Sequence, residues 1–351
     1  MCSLTRAGHW FLHSGIQEPS GGVARFYLAD LEKNKPVSTE ITGYAASAFV
    51  FLHNVTGREE YLDGARRAAD FLCTHAWDEA LRTFPFEHPA STETYFFDCG
   101  IIVRGLLAVW RVTKEDRLLD TAVSASRSMI EDFHSGSDYH PILRLPDKKA
   151  LDRTAGWSRS PGCYQAKSAL AWWEVAEVSG EQELRDAYLE MLDNALRTHR
   201  EFLPGTPDRS RVMDRLHAYS YFLEAMSPML SRPDCVEAYA RGLDTVACHL
   251  RRIAPEFARS DVYAQLLRAR VYGAKVIPVD MRAARDEAET LGTFQVESED
   301  PRTDGAFFFG RREGHLVPHA NPVSTAFAIQ ALEVWNAYEA GDTNPCRQAT
   351  I

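Results

Sequence analysis

A small-residue-rich apolar stretch, a short break, then an amphipathic stretch of different character: this unit returns roughly every 50–65 residues along the chain. A repeat of that length limits the possible folds more than any single residue can. In the first copy Thr39-Glu40-Ile41-Thr42-Gly43-Tyr44 opens an apolar run to Leu52, Val55-Thr56-Gly57-Arg58 breaks it, and Tyr61-Leu62-Asp63-Gly64-Ala65 starts the partner. A second copy lies 57 positions on, with Phe97-Asp98-Cys99-Gly100, Val112-Thr113-Lys114 and Leu118-Leu119-Asp120-Thr121-Ala122 in the same places. A third aligns at an offset of 123, with Cys163-Tyr164-Gln165-Ala166, Val178-Ser179-Gly180 and Leu184-Arg185-Asp186-Ala187.

The repeat predicts helical hairpins. Helices apolar nearly all round are expected at about 40–54, 97–112, 163–179, 213–230, 261–275 and 323–339. Helices with a single buried stripe are expected at about 59–75, 116–133, 182–202, 234–253 and 281–291, and a further outer helix at 4–14 ends at Gly15. A helix buried on every side belongs to an inner ring, and one with a single apolar stripe to an outer ring. Six of each close into an all-α toroid.

With 45% hydrophobic and 25% charged residues, the 351-residue chain has ample material for a core. The repeats run nearly end to end without a low-complexity linker, so a single domain over residues 1–351 is expected. A formal charge of −10 argues against a nucleic-acid partner, which needs a basic footprint. Seven widely spaced cysteines with no CxxC pair read as thiols of a reducing compartment and give no zinc framework. The start, Met1-Cys2-Ser3-Leu4-Thr5-Arg6-Ala7, lacks a secretory pattern and no apolar run reaches the length of a membrane span, so a soluble cytoplasmic protein with no membrane partner is expected.

This alternation of inner and outer helices resembles the six-hairpin (α/α)6 toroid superfamily over nearly the whole chain. Gly305-Ala306-Phe307-Phe308-Phe309-Gly310 followed by Asn321-Pro322-Val323-Ser324-Thr325-Ala326-Phe327-Ala328 is the part most similar to that superfamily's closing repeat. The resemblance implies a glycoside hydrolase, sugar epimerase or polysaccharide lyase, with terpenoid cyclases and protein prenyltransferases as close relatives. Its motifs are architectural, so they specify fold better than chemistry.

In such a ring the N-terminal ends of the inner helices converge on one mouth, where unpaired N–H groups favour oxygen-rich ligands. First-turn residues are therefore the candidates. Glu40 follows Ser38-Thr39, which can cap its helix, and Asp98 sits among Tyr95, Phe96, Phe97 and Cys99, a setting that leaves a carboxylate poorly solvated. Together they would supply the acid and the base of glycosidic cleavage. The competing reading is a favourable first-turn charge for Glu40 and a helix cap for Asp98. His217 is a third candidate for acid–base work, as the epimerase resemblance implies histidines at the mouth, although a histidine near a helix start is often structural.

Substrate contacts are expected from Tyr44, Tyr164, Gln165, Tyr221 and Asn321 on the inner helices. The loops contribute His88 from 84–88, Trp157 and Arg159 from 153–159, and Arg311 and His319 from 304–319. Aromatic faces stack on sugar rings and Arg forks hold carboxylates or phosphates, which would suit an acidic sugar; as packed surface loops they would do neither. No metal or cofactor is expected: His9 and His13 share an i,i+4 spacing without a nearby carboxylate motif, and Pro318 interrupts the pair His315 and His319. The expected partner is a small saccharide, acidic ones included, because large polymers are cut outside the cell. Two other classes stay open: an isoprenoid enzyme, for which neither DDxxD nor DxDD occurs, and a toroid that binds a glycan or a protein without catalysis.

Overall fold

The computed structural model describes residues 4–89, 91–136, 138–153, 156–203, 208–342, 344–346 and 349–351. Two stretches used above, Met1-Cys2-Ser3 and Thr154-Ala155, lie outside them. By contacts the chain divides into two compact units. One comprises residues 17–25 and 35–197; the other comprises 1–16, 26–34 and 198–351.

The first unit holds α2 (Thr39–Thr56), α3 (Glu59–Phe71), α4 (Phe96–Thr113), α5 (Asp116–Phe133), α6 (Gln165–Ser179) and most of α7 (Gln182–Phe202). Helices α2, α4 and α6 are buried on nearly every face, whereas α3 and α5 bury one stripe. Glycine is what lets the inner helices approach. A Cβ on Gly105 of α4 would stand 2.5 Å from the carbonyl oxygen of Gly43 on α2, and one on Gly100 would stand 2.0 Å from Ser168 Oγ on α6. The Ser168 hydroxyl in turn donates to the carbonyls of Phe96 and Phe97 at 2.9 and 3.0 Å, tying α6 to the first turn of α4. Gly57, with φ of 69°, closes α2 in the left-handed conformation that glycine adopts without steric cost.

The second unit holds α1 (Leu4–His13), α8 (Arg209–Ala225), α9 (Pro233–Ile253), α10 (Ser260–Tyr272), α11 (Met281–Gly292) and α12 (Pro322–Glu339). Here α8, α10 and α12 are the inner type and α1, α9 and α11 the outer. The inner helices carry a buried polar core. Arg268 on α10, fully buried, pairs with Glu224 of α8, donates to Gln330 Oε1 of α12 at 2.7 Å and lies over the Phe327 ring. Removing one partner would leave the other charge stranded in the core.

Helix types and order follow the sequence expectation, with one displaced element. The inner helix expected at 213–230 runs from Arg209 to Ala225, because the Asp208 carboxylate caps it four residues earlier by accepting from the Ser210 and Arg211 amides. It ends where Ser227–Met229, with Pro228 inside, tightens into a 3-10 turn.

The segments before the inner helices are short antiparallel ladders. In the first unit Val23–Ala24, Val37–Ser38 and Glu87–His88 form one sheet, and Glu93–Tyr95 pairs with Ile142–Arg144 in another. In the second unit Phe257–Arg259 pairs with Gly310–Arg312, and His319–Ala320 with Tyr27–Leu28. Strands Val37–Ser38, Glu93–Tyr95 and Phe257–Arg259 run straight into α2, α4 and α10. The ladders therefore fix the first turns of these three inner helices. No helix among the described residues is long and apolar enough to cross a membrane.

Candidate active site

Glu40 lies in the first turn of α2, a helix capped by Ser38, whose hydroxyl accepts from the Ile41 amide. Asp98 lies in the first turn of α4, which begins after Tyr95; Asp98 is thus inside the helix and is not its cap. Close packing of α2 on α4 through Gly43 and Gly105 brings the two carboxyls within each other's field. Asp98 is 5% exposed, and its Oδ2 has no hydrogen-bond partner among the described residues. Burial, reinforced by the Glu40 charge and partly opposed by Arg25, pushes the Asp98 carboxyl well above the usual carboxylate range. Glu40 keeps some contact with solvent. Burial still lifts it to about 7, against the opposing pull of Arg25.

Arg25 is the third member of the group. Its guanidinium lies 4.5 Å over the Phe86 ring and pairs with Glu87. Its amide donates to the Pro36 carbonyl at 3.0 Å. The strand register sets Glu87 opposite Ser38, the cap of the helix that carries Glu40. One guanidinium thus pairs with Glu87 and acts electrostatically on Glu40 and Asp98, both of which are biased toward the protonated form.

Tyr164 is buried, and its hydroxyl donates to the Ser160 carbonyl at 3.1 Å; with Tyr95 it feels the Asp98 charge. Trp157 meets Tyr164 edge-on at 5.0 Å, and Arg159 stands 3.9 Å from Glu93, whose carboxylate also accepts from Tyr95. Tyr44 is buried within α2. Gln165 spans the start of α6, its Oε1 accepting from the Gly162 amide and its Nε2 donating to the Tyr139 carbonyl. His88 alternates with Glu87 along its strand and meets Phe71 of the outer helix α3 edge-on at 5.3 Å.

In the second unit His217 occupies the middle of α8, a consequence of the earlier start of that helix, where a first-turn place was expected. Its Nδ1 is 2.8 Å from Gln265 Oε1 and 3.4 Å from Asp261 Oδ2. Both are acceptors, so Nδ1 holds the proton. Burial lowers the imidazole to about 4, against the opposing effect of Asp261, leaving it neutral at pH 7. Asp261 is buried, which alone would raise it, yet Arg259 and His217 together hold it below the usual range. Arg259 grips Asp261 through two bonds of 3.0 and 2.5 Å, reaches Asp214 at 2.8 Å and lies over Phe309. Tyr221 packs edge-on against His217 at 4.6 Å.

The remaining candidates of this unit are held in the loops. His319 stacks on Phe26 at 5.0 Å. Asn321 caps α12, accepting from the Ser324 amide at 3.0 Å. Arg311 donates to the Thr293 carbonyl and hydroxyl and covers Phe294, while the neighbouring Arg312 covers Phe257.

Two charged residues of these two clusters, Arg25 and Arg259, are absent from the sequence-derived candidates. Each precedes or flanks an inner helix on an extended segment.

No protein-family model and no curated protein matches the sequence. Solved structures do match in fold. A sugar epimerase from a ruminal bacterium superposes with a TM-score of 0.72 at 12% identity, over 96% of this chain and 99% of that one. Cellobiose 2-epimerase from Bacillus thermoamylovorans B4167 gives 0.70 at 13% identity, over 92% and 95% of the two chains. An unsaturated glucuronyl hydrolase specific for heparin gives 0.70 at 12% identity, over 97% of each. The chain shares with these enzymes the (α/α)6 toroid fold.

Proposed function

We propose that this protein is a carbohydrate-active enzyme that cleaves a glycosidic bond in a small saccharide, with Asp98 as general acid and Glu40 as base or nucleophile. The observation that carries the reading is the carboxyl pair itself, at the first turns of two closely packed inner helices. Both groups are shifted upward, Asp98 the more shielded and Glu40 at about 7. In such a coupled pair the more strongly raised member holds its proton to the higher pH. Asp98, buried and with one oxygen uncommitted, keeps that proton for the leaving-group oxygen. Glu40, more open to solvent, acts as the ionised partner toward water or the anomeric carbon. Arg25 keeps the pair from holding two protons, since its charge favours ionisation of both. The neighbours in fold are named as enzymes of sugars and glucuronides, which supports the substrate class. The cysteine usage supports a reducing, cytoplasmic setting.

A panel of aryl and disaccharide glycosides tests the reading. With a cleaved substrate, Asp98→Asn should lose roughly 10²–10⁴-fold in kcat. Binding without cleavage of any panel member would favour a glycan-binding toroid instead.

A second reading is favoured by one observation in the other unit. His217 is neutral and lies on an inner helix beside Asp261, the charge state in which a histidine can serve as base toward a sugar, as epimerisation requires. Incubation of free sugars with the protein in D2O separates the two. Deuterium entering the sugar at carbon, lost in His217→Ala and kept in Asp98→Asn, would identify an epimerase.

A further inference from the structure

Building on the glycosidic reading, we propose that the carboxyl-pair site takes an uncharged sugar and rejects the same sugar bearing a carboxylate, because the guanidinium beside the pair, Arg25, is committed to Glu87. A uronate carboxylate is bound most tightly by a cation that faces no other carboxylate, and Arg25 and Arg159 each already face one. Arg25 has Glu87 at its tip and Phe86 against its face. Arg159 has Glu93 at 3.9 Å, and Glu93 is further held by the Tyr95 hydroxyl at 2.9 Å. Lys167, in the first turn of α6, is fully buried and has its own partner within the protein. Arg153 stands in solvent, where water and salt screen it.

The Arg25–Glu87 pair is held by backbone as well as by charge. Glu87 is fixed opposite Ser38 by strand pairing, and the Arg25 amide is bonded to Pro36. A ligand carboxylate entering here would be a fourth carboxyl within the field of one guanidinium. It would have to displace Glu87 or accept like-charge repulsion from the ionised Glu40. A hydroxymethyl group at the same position carries no such cost and can donate to these oxygens.

Matched pairs of ligands test this: alkyl and aryl glucosides, galactosides and mannosides beside their 6-carboxylate counterparts, titrated calorimetrically against the wild-type protein and Glu87→Gln. The wild type should bind the uncharged member of at least one pair more tightly by roughly tenfold or more. Glu87→Gln releases Arg25 and should shrink that preference by a similar factor, mainly by tightening the carboxylate ligand. Should that variant not fold, Glu93→Gln, which releases Arg159, and the wild-type ratio still decide. A carboxylate member bound as tightly as its uncharged twin by the wild type, or a preference unmoved in a folded Glu87→Gln, overturns the inference while leaving the glycosidic reading standing. No response to either member of any pair overturns the glycosidic reading, and this inference with it.

Discussion

At the scale of single residues, the decisive feature is a pair of carboxyls kept partly protonated where water would ionise them. Glu40 titrates near 7 in the folded protein and near 4.5 when unfolded. Between those values the folded state binds more protons than the unfolded one, so Glu40 makes stability fall as pH rises through that window and adds no further change above it. Asp98 acts in the same direction. Glu40→Gln should therefore flatten the decline and raise the melting temperature at pH 8 by a few degrees, with little effect at pH 4; a melting-temperature series against pH checks this. Arg25 supplies a kinetic counterpart. Its charge lowers both carboxyls, so Arg25→Gln should move the whole pH–rate profile toward higher pH, whereas a merely structural loss would lower the rate without moving the limbs. Glu40 and Asp98 could be read as a pair from sequence because each opens a repeated apolar helix. Arg25 could not, because its partner Glu87 lies 62 positions away and meets it only through strand pairing.

At the scale of elements, the inner helices were legible because small residues and apolar runs recur with the repeat. Their ends were less so. Asp208 follows a Pro- and Gly-rich stretch that reads as loop, yet it caps α8 and thereby moves His217 from a helix start to mid-helix. Apart from the extended stretch Val23 to Leu28, the ladders before the helices were not legible, being only two or three residues long, too short for an alternating pattern to show. What places the site is the fit between helices. Gly100→Ala would drive a methyl into Ser168 and the α6 backbone, at 2.0 and 2.4 Å, and should destabilise the protein by about 1–3 kcal/mol or more. Gly292→Ala, a helix position with nothing within 4 Å, should be nearly neutral. Urea unfolding midpoints of the two variants make the comparison. Ser38→Ala should cost about 1 kcal/mol through the lost cap of α2.

At the scale of the whole molecule, the hairpin count and the helix order were open to reading from sequence, while the division into two units was not. That division follows contacts, and the chain crosses between units at 16/17, 25/26, 34/35 and 197/198. Three of the four crossings fall within the first 35 residues. The unit with the carboxyl pair is thus built from nearly continuous chain. The unit with His217 needs residues 1–16 and 26–34 together with everything after 197. A ribosome releases the chain from the N-terminus, and domains fold as they emerge. The carboxyl unit has all its segments once residue 197 has cleared the exit tunnel, whereas residues 1–16 and 26–34 must wait for partners made last. Nascent chains stalled with residue 197 clear of the tunnel should resist protease across 35–197 while the helix Leu4–His13 stays cleavable until the segments after 197 have emerged.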